Sequence, residues 1–324
     1  MGIEVDEVSK NAMGGTELMK YALQERISPE LLERFQIIPS RVRELDESKV
    51  RILWLHDLPG DPESEHLANN GWDKFHKLVF VSNWQMQAYI QKYNIPWSRC
   101  IVMHNAIVPI ESHTKPSVED KIKIIYTSTP HRGLNILFAA FKKLCETHDN
   151  IELDVYSSFK LYGWEQRDEQ FKELFDALKD HPNVNYHGSV PNDQIREALK
   201  QSHIFALPST WPETSCLCLI EAMSAANICV HSNLAALSET AANWTLMYQF
   251  QEDLSEHAGV FSNALNTAIH IAKNNINSNR ILNQKLYTDE NYNWDSRTAQ
   301  WVALLESMKG LPTEFPKPKF VYRT

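Results

Sequence analysis

Apolar residues in this chain gather into short continuous runs separated by stretches with helical spacing, and the alternation is most regular after Ile122. Lys123-Ile124-Ile125-Tyr126 reads as a buried strand, Leu134 to Cys145 as an amphipathic helix, and Glu152-Leu153-Asp154-Val155-Tyr156 as the next strand. Phe171 to Leu178 then reads as helix, Val184-Asn185-Tyr186 as strand, and Ile195 to Lys200 as helix. His203-Ile204-Phe205-Ala206-Leu207 is a further strand, stopped by Pro208-Ser209-Thr210-Trp211-Pro212, and Ile228-Cys229-Val230 is another. Strands that alternate with helices imply parallel pairing, because a parallel neighbour is reached only through a crossover connection. Ligands of such sheets bind beyond the carboxyl ends of the strands.

The first hundred residues repeat this theme less completely. Strands are expected at Phe35-Gln36-Ile37-Ile38, Ile52-Leu53-Trp54-Leu55, Leu78-Val79-Phe80-Val81 and Ile101-Val102-Met103. Only Gly2 to Lys10 precede the Gly14-Gly15 pair, so an opening strand there is short, irregular or missing. Val108 to Asp120, with Pro109 and Pro116, reads as a linker. Trp294, Ala299, Val302, Leu305 and Met308 have helical spacing, with Gly310 and Pro312 as stop signals.

A length of 324 residues fits two domains of average size. The 43% hydrophobic and 23% charged content is that of a water-soluble globular chain. Neither a membrane-length apolar run nor a secretory signal is evident, so the expected location is cytoplasmic, with peripheral membrane association as an alternative. Met1-Gly2 begins like a myristoylation signal, but Asp6 stands where that pattern needs Ser or Thr. The net charge of −9 argues against a protein devoted to gripping nucleic acid, although the tail Lys317-Pro318-Lys319-Phe320-Val321-Tyr322-Arg323 is basic and aromatic. The 5 cysteines have spacings typical of neither a zinc site nor a disulfide framework and read as reduced thiols.

The densest candidate chemistry lies in Pro212-Glu213-Thr214-Ser215-Cys216-Leu217-Cys218-Leu219-Ile220-Glu221-Ala222-Met223. Thr214 or Ser215 can cap a helix whose apolar positions Leu217, Ile220 and Met223 face a core. Glu213 then precedes the helix and Glu221 lies on its second turn, separated by roughly 12 Å at the helical rise per residue. That is the reach of a diphosphate with a sugar at each end. Helix N-termini attract anions through unpaired amides and the positive dipole end. Gly14-Gly15-Thr16 opens a second helix, Glu17 to Glu25, and offers the same kind of site. Thr127-Ser128-Thr129-Pro130-His131-Arg132-Gly133-Leu134 joins a strand to a helix, and Arg132 there could clasp a diphosphate with two parallel hydrogen bonds. His56-Asp57 ends the strand that begins at Ile52.

The strand, the Pro-Ser stop, the glutamate and Leu-Ile-Glu-Ala-Met closely resemble the nucleotide-sugar site of glycosyltransferase family 4, a retaining family. The likeness covers most of the chain and is most specific from Tyr126 to Glu239. It implies the α/β fold called GT-B, with two Rossmann-like domains whose parallel sheets face across a cleft, the N-terminal one reduced. Residues 1–110 would form the acceptor-side domain, joined by a C-terminal helix at about 294–324, and residues 111–293 the donor domain. By this resemblance Glu213 faces the donor sugar and Glu221 binds the ribose. Arg132 stabilises the leaving diphosphate, and His56 makes a polar contact to sugar or acceptor. Gly14, Gly15, Ser128, Thr214, Ser215, Cys216 and Val190 bind donor, Val190 in the Gly188-Ser189-Val190 loop that meets the base. Asp57 lies on the acceptor side, and Asn105 is structural, with Ala106 replacing the family's glycine. The family generally places a second cation just after the strand, where this chain has Tyr126, Thr127 and Ser128.

The expected reaction is transfer of a sugar from a nucleotide donor, UDP-linked by preference, to an acceptor hydroxyl. No cofactor is expected, and no metal, because no Asp-x-Asp follows a strand. The acceptor is a carbohydrate, a lipid-linked molecule or DNA. Alternatives are a phage-type enzyme glycosylating modified DNA bases, a catalytically inactive scaffold-like relative, and a nucleotide-binding regulator without transfer chemistry.

Overall fold

The computed structural model describes residues 14–275 and 278–314. The Gly2 to Lys10 segment and the basic tail from Lys317 lie outside the described residues. The chain divides into two compact units.

The first unit comprises Lys20–Met103 together with residues from Thr298 onward. Its sheet contains β1 (Phe35–Pro39), β2 (Val50–Leu55), β3 (Lys77–Phe80) and β4 (Cys100–Val102), all parallel and in sequence order. β1 and β2 are buried along their whole length, which is why they appear in the sequence as mainly apolar runs, broken only by the buried Gln36 and Arg51. Ile38, Leu53, Leu55, Phe80, Tyr89 and Tyr93 share one core cluster. Helix α1 (Gly15–Gln24) precedes the sheet, α2 (Pro29–Leu32) leads into β1, and α3 (Asn83–Tyr93) connects β3 to β4. α3 starts where the Ser82 side chain accepts from the Gln85 amide and ends where Asn94 turns left-handed.

The second unit comprises residues 14–19 and His104–Arg297. Its six strands are β5 (Ile122–Tyr126), β6 (Ile151–Val155), β7 (Val184–Tyr186), β8 (Ile204–Leu207), β9 (Ile228–Ser232) and β10 (Leu246–Tyr248). All pair parallel in the order β10-β9-β8-β5-β6-β7. Helices α4 (Leu134–Leu144), α5 (Lys172–Lys179), α6 (Asn192–Gln201), α7 (Leu217–Ser224) and α8 (Leu237–Ala241) carry the chain between strands. α9 (Leu254–Asn275) and α10 (Asn279–Asn291) follow β10. From β5 the chain winds outward through β6 and β7, then returns to place β8 on the other side of β5. The crevice where the winding reverses therefore opens at the carboxyl ends of β5 and β8.

The final helix α11 (Trp294–Met308) has the bounds read from its spacing, and its residues from Thr298 onward belong to the first unit. Trp301 sets its indole edge against Trp54 of β2, with ring centroids 5.0 Å apart. Arg34 also donates to the carbonyls of Lys309 and Leu311.

Candidate functional site

Arg132 follows β5 and Glu213 follows β8, so the two side chains meet where the sheet winding reverses. Arg132 Nε lies 2.6 Å from Glu213 Oε1, with side-chain exposures of only 17% and 10%. The guanidinium is fixed from behind, because Arg132 Nη1 donates to Thr129 Oγ1 at 2.8 Å. The Thr129 carbonyl accepts in turn from the buried Tyr126 hydroxyl at 2.7 Å. Burial raises the Glu213 carboxyl above the usual carboxylate range against the pull of Arg132. Glu213 and Tyr162 outweigh the effect of burial on Arg132 and hold it protonated.

Local sequence explains this placement. Gly133 adopts φ +91°, and a Cβ there would collide with the Pro208 carbonyl, so only glycine lets the β5 turn lie against the end of β8. Glu213 also accepts, through its own carbonyl, the Ala236 amide at 3.0 Å, which ties the loop to the segment after β9.

Glu221 is buried on α7, eight positions along the chain from Glu213. Its Oε1 accepts from Asn192 Nδ2 at 3.0 Å and from Arg196 Nη1 at 3.1 Å, both side chains of α6. Arg196 donates its other terminal nitrogen to the Val108 carbonyl at 2.7 Å. Burial raises this carboxyl too, against the opposing hydrogen bond from Asn192 and the charge of Arg196.

Two helix N-termini flank the ion pair. The N-cap of α7 is Cys216, rather than Thr214 or Ser215, and no side chain caps it. That of α4 is Gly133, also without a side-chain cap. Orphan amides at both are thus available to an anion. The Gly14-Gly15 turn is brought to the same region. A Cβ on Gly15 would lie 3.1 Å from Leu217 Cδ1, and one on Gly14 would lie 2.5 Å from Tyr162 Cε1. Ser128 is buried after β5, Thr214 and Ser215 are half-buried in the glutamate loop, and Val190 is half-buried after β7 behind the left-handed Gly188. Asn105 is buried in the segment after β4.

His56 and Asp57 belong to the first unit, at the carboxyl end of β2. His56 packs its ring 4.6 Å from that of Trp54, and burial pushes its pKa down to about 3. The imidazole is therefore neutral at ordinary pH. The Asp57 carbonyl accepts from Gln85 Nε2 at 2.8 Å.

Several site residues escaped sequence reasoning. Asn192 and Arg196 stand four apart on α6, a spacing that signals a shared helix face, but no chemistry marked that face in advance. Tyr162 lies in an irregular segment without any period. His131 stacks on Phe159 at 5.2 Å and meets the exposed Trp211 edge-on at 5.1 Å, and burial lowers its pKa to about 4. The cysteines are all free, as read from the sequence, and the fold sets Cys216 Sγ 3.4 Å from Cys218 Sγ. The hydrogen bond to Cys218 and burial push the Cys216 thiol well above its ordinary range, which disfavours a nucleophilic role.

Among the described residues, no three His, Cys, Asp or Glu side chains cluster as a metal site requires. No helix there is long and apolar enough to cross a membrane.

Residues 110–268 match the family model described as glycosyl transferases group 1. A similar curated protein is the phosphatidylinositol N-acetylglucosaminyltransferase GPI3 subunit of Saccharomyces cerevisiae. It is 24% identical over 200 residues, which span 59% of this chain and 43% of that protein. Another is the lipopolysaccharide 1,2-N-acetylglucosaminetransferase of Salmonella typhimurium, 27% identical over 158 residues, or 47% of this chain and 40% of that one. This chain thus aligns with less than half the length of these relatives. Among solved structures, a glycosyltransferase from Rickettsia africae superimposes with a TM-score of 0.68 at 15% identity, covering 95% of this chain and 85% of that one. HepE of Anabaena in complex with UDP-glucose gives 0.64 at 14% identity, covering 90% and 82%. These likenesses show the GT-B architecture of two parallel α/β domains.

Proposed function

The chain is a member of the glycosyl transferases group 1 family, whose model its residues 110–268 match, and from that premise we propose that it transfers a sugar from a nucleotide-sugar donor to an acceptor hydroxyl. The observation that carries this reading is the pairing of half-buried Arg132 with buried Glu213 at the reversal of the sheet, between two uncapped helix N-termini.

In this reading the donor diphosphate lies against Arg132 and the orphan amides of α4 and α7, which neutralise the charge that grows as the glycosidic bond breaks. Glu213 orients the sugar as it gains oxocarbenium character, and Glu221 accepts hydrogen bonds from the ribose. His56 remains a candidate neutral contact to sugar or acceptor, on the strength of the family resemblance. The leaving phosphate accepts the proton of the acceptor hydroxyl on the face it departs from, so configuration is retained without an enzymic nucleophile. Arg132 and the amides meet the need for positive charge without a metal ion.

A UDP-linked donor is favoured because the HepE neighbour is described with UDP-glucose and another neighbour, the pneumococcal GtfA, with UDP and GlcNAc. N-acetylglucosamine is the sugar named for both curated relatives, one acting on phosphatidylinositol and the other on lipopolysaccharide. That supports a carbohydrate or lipid-linked acceptor, and with it peripheral contact with a membrane. Incubation with a panel of UDP-, GDP- and ADP-sugars, read by thermal shift and donor hydrolysis, tests the proposal. A UDP-sugar that raises the melting temperature and is slowly hydrolysed supports it, and a panel in which none binds sinks it.

A further inference from the structure

On a continuous α-helix, residues two apart point to different faces, so a Cys-x-Cys pair there keeps its thiols separate. Cys216 and Cys218 escape that geometry. Cys216 is the N-cap of α7, with the extended backbone angles φ −102° and ψ 91°, while Cys218 already belongs to the helix. The change of backbone between them brings both side chains together, with Cys216 Sγ 3.4 Å from Cys218 Sγ. The two thiols touch. Their surroundings are unequal, since Cys216 is buried at 2% exposure and Cys218 is half-buried.

That inequality assigns an order of reaction, because a thiol open to solvent meets an oxidant first and a sheltered neighbour resolves the product. The hydrogen bond to Cys218 is the largest of the influences that push the Cys216 thiol up, and it is lost once Cys218 is oxidised. Cys216 then gives up its proton more readily. A bond between the two sulfurs would enclose only Leu217, whose side chain faces the Gly14-Gly15 turn, where a Cβ on Gly15 would lie 3.1 Å from Leu217 Cδ1. Drawing the sulfurs from contact to bonding distance moves them by on the order of 1 Å. The cap of α7 and its orphan amides move with them.

We propose that Cys216 and Cys218 form a reversible disulfide that closes the N-terminus of α7 to the donor diphosphate. In the first step the Cys218 sulfur attacks one oxygen of hydrogen peroxide and the O–O bond breaks, giving a sulfenic acid and, with the thiol proton, water. In the second the Cys216 sulfur attacks the Cys218 sulfur and displaces its hydroxyl, which leaves as water with the Cys216 proton. The sulfurs together lose two electrons, and the peroxide is reduced to water. A dithiol reductant reverses the bond by exchange. The crosslink stands on the thiol geometry alone, whereas its effect on the donor rests on the function proposed above.

The test treats the reduced whole protein with hydrogen peroxide and digests it with a protease that cuts after glutamate. Cleavage after Glu213 and Glu221 releases residues 214–221, which hold both thiols and no third cysteine. That peptide should be lighter by two hydrogens after peroxide and should regain them in dithiothreitol. In calorimetric titrations with UDP, GDP and ADP, the diphosphate that the reduced protein binds best should bind the oxidised protein about tenfold more weakly, or about 1.4 kcal/mol, with recovery on reduction. Cys218→Ser should keep its affinity through the same treatment. A Cys218 that stays a thiol or goes on to sulfinic acid without the crosslink overturns the proposal. So does a crosslink that leaves affinity unchanged, or a loss of affinity that Cys218→Ser shares. If the reduced protein binds no nucleoside diphosphate, the donor-binding function itself fails, and the peptide mass still decides the disulfide.

Discussion

Arg196 clasps Glu221 at 3.1 Å with one terminal nitrogen and the Val108 carbonyl at 2.7 Å with the other, so the carboxylate on α7 is held by α6 and by the segment that enters the second sheet. Replacing Arg196 by alanine leaves a buried carboxylate with only Asn192 beside it. We expect a stability loss of about 3 kcal/mol in chemical denaturation, the cost typical of a buried pair losing one partner. The donor KM should rise about tenfold with little change in kcat, because the ribose contact is made equally in ground and transition states. Arg196→Lys should recover part of the stability while leaving KM raised.

Glu213 and Glu221 should separate cleanly in kinetics. Glu221→Ala should weaken binding of the free nucleotide, whereas Glu213→Ala should leave that binding nearly intact and lower turnover of the full sugar donor by about 100-fold or more. Isothermal titration with the nucleotide and single-turnover rates with the donor measure the two effects. Unchanged donor kinetics in both variants would refute the assigned roles.

Gly133→Ala should be among the most damaging small substitutions in the chain. The new Cβ meets the Pro208 carbonyl at a residue whose φ is +91°, so relief requires moving the β5 turn away from β8. Left-handed strain and the backbone clash together predict a loss of about 3 kcal/mol or more. Thermal melts would record it, and any folded remnant should have weakened donor binding because Arg132 is the preceding residue.

Acid should act through buried neutral histidines. His231 lies between the Ser232 carbonyl at 2.7 Å and the Thr245 hydroxyl at 2.8 Å, and burial lowers its pKa to about 4. The unfolded chain protonates this group near pH 6.5, so the unfolded state binds more protons between there and pH 4. Stability contributed by His231 is complete above pH 6.5 and is lost as pH falls toward 4, amounting to about 2 kcal/mol at pH 5. Denaturant titrations of wild type and His231→Gln across pH 5 to 7 should show a shallower acid slope in the variant.

β1, β2, β8 and β9 were legible because they are buried on both faces and therefore appear as mainly apolar runs. β10 was not, being three residues long, with only Tyr248 buried. α9 and α10 were missed for a different reason. Leu254, Leu282 and Leu286 are exposed at 57%, 51% and 66%, so apolar residues off the core blur the helical period. At the site, Arg132, Glu213 and Glu221 announced themselves by residue type and position in a strand–loop–helix pattern. The cap of α7 fell to Cys216 because helix start signals locate a boundary only to within a residue or two. Tyr162 left no sequence signal, since it lies in a connection without repeat or period.

The last helix begins in one unit and ends in the other, and Trp301 completes a surface whose other half is Trp54. Severing the chain anywhere between Met103 and Trp294 would therefore not yield two self-sufficient pieces. The amino-terminal fragment would leave Trp54 without its indole neighbour, and the carboxyl-terminal fragment would carry away Trp301. A protease that nicks a loop in that interval should produce two peptides that copurify until denatured.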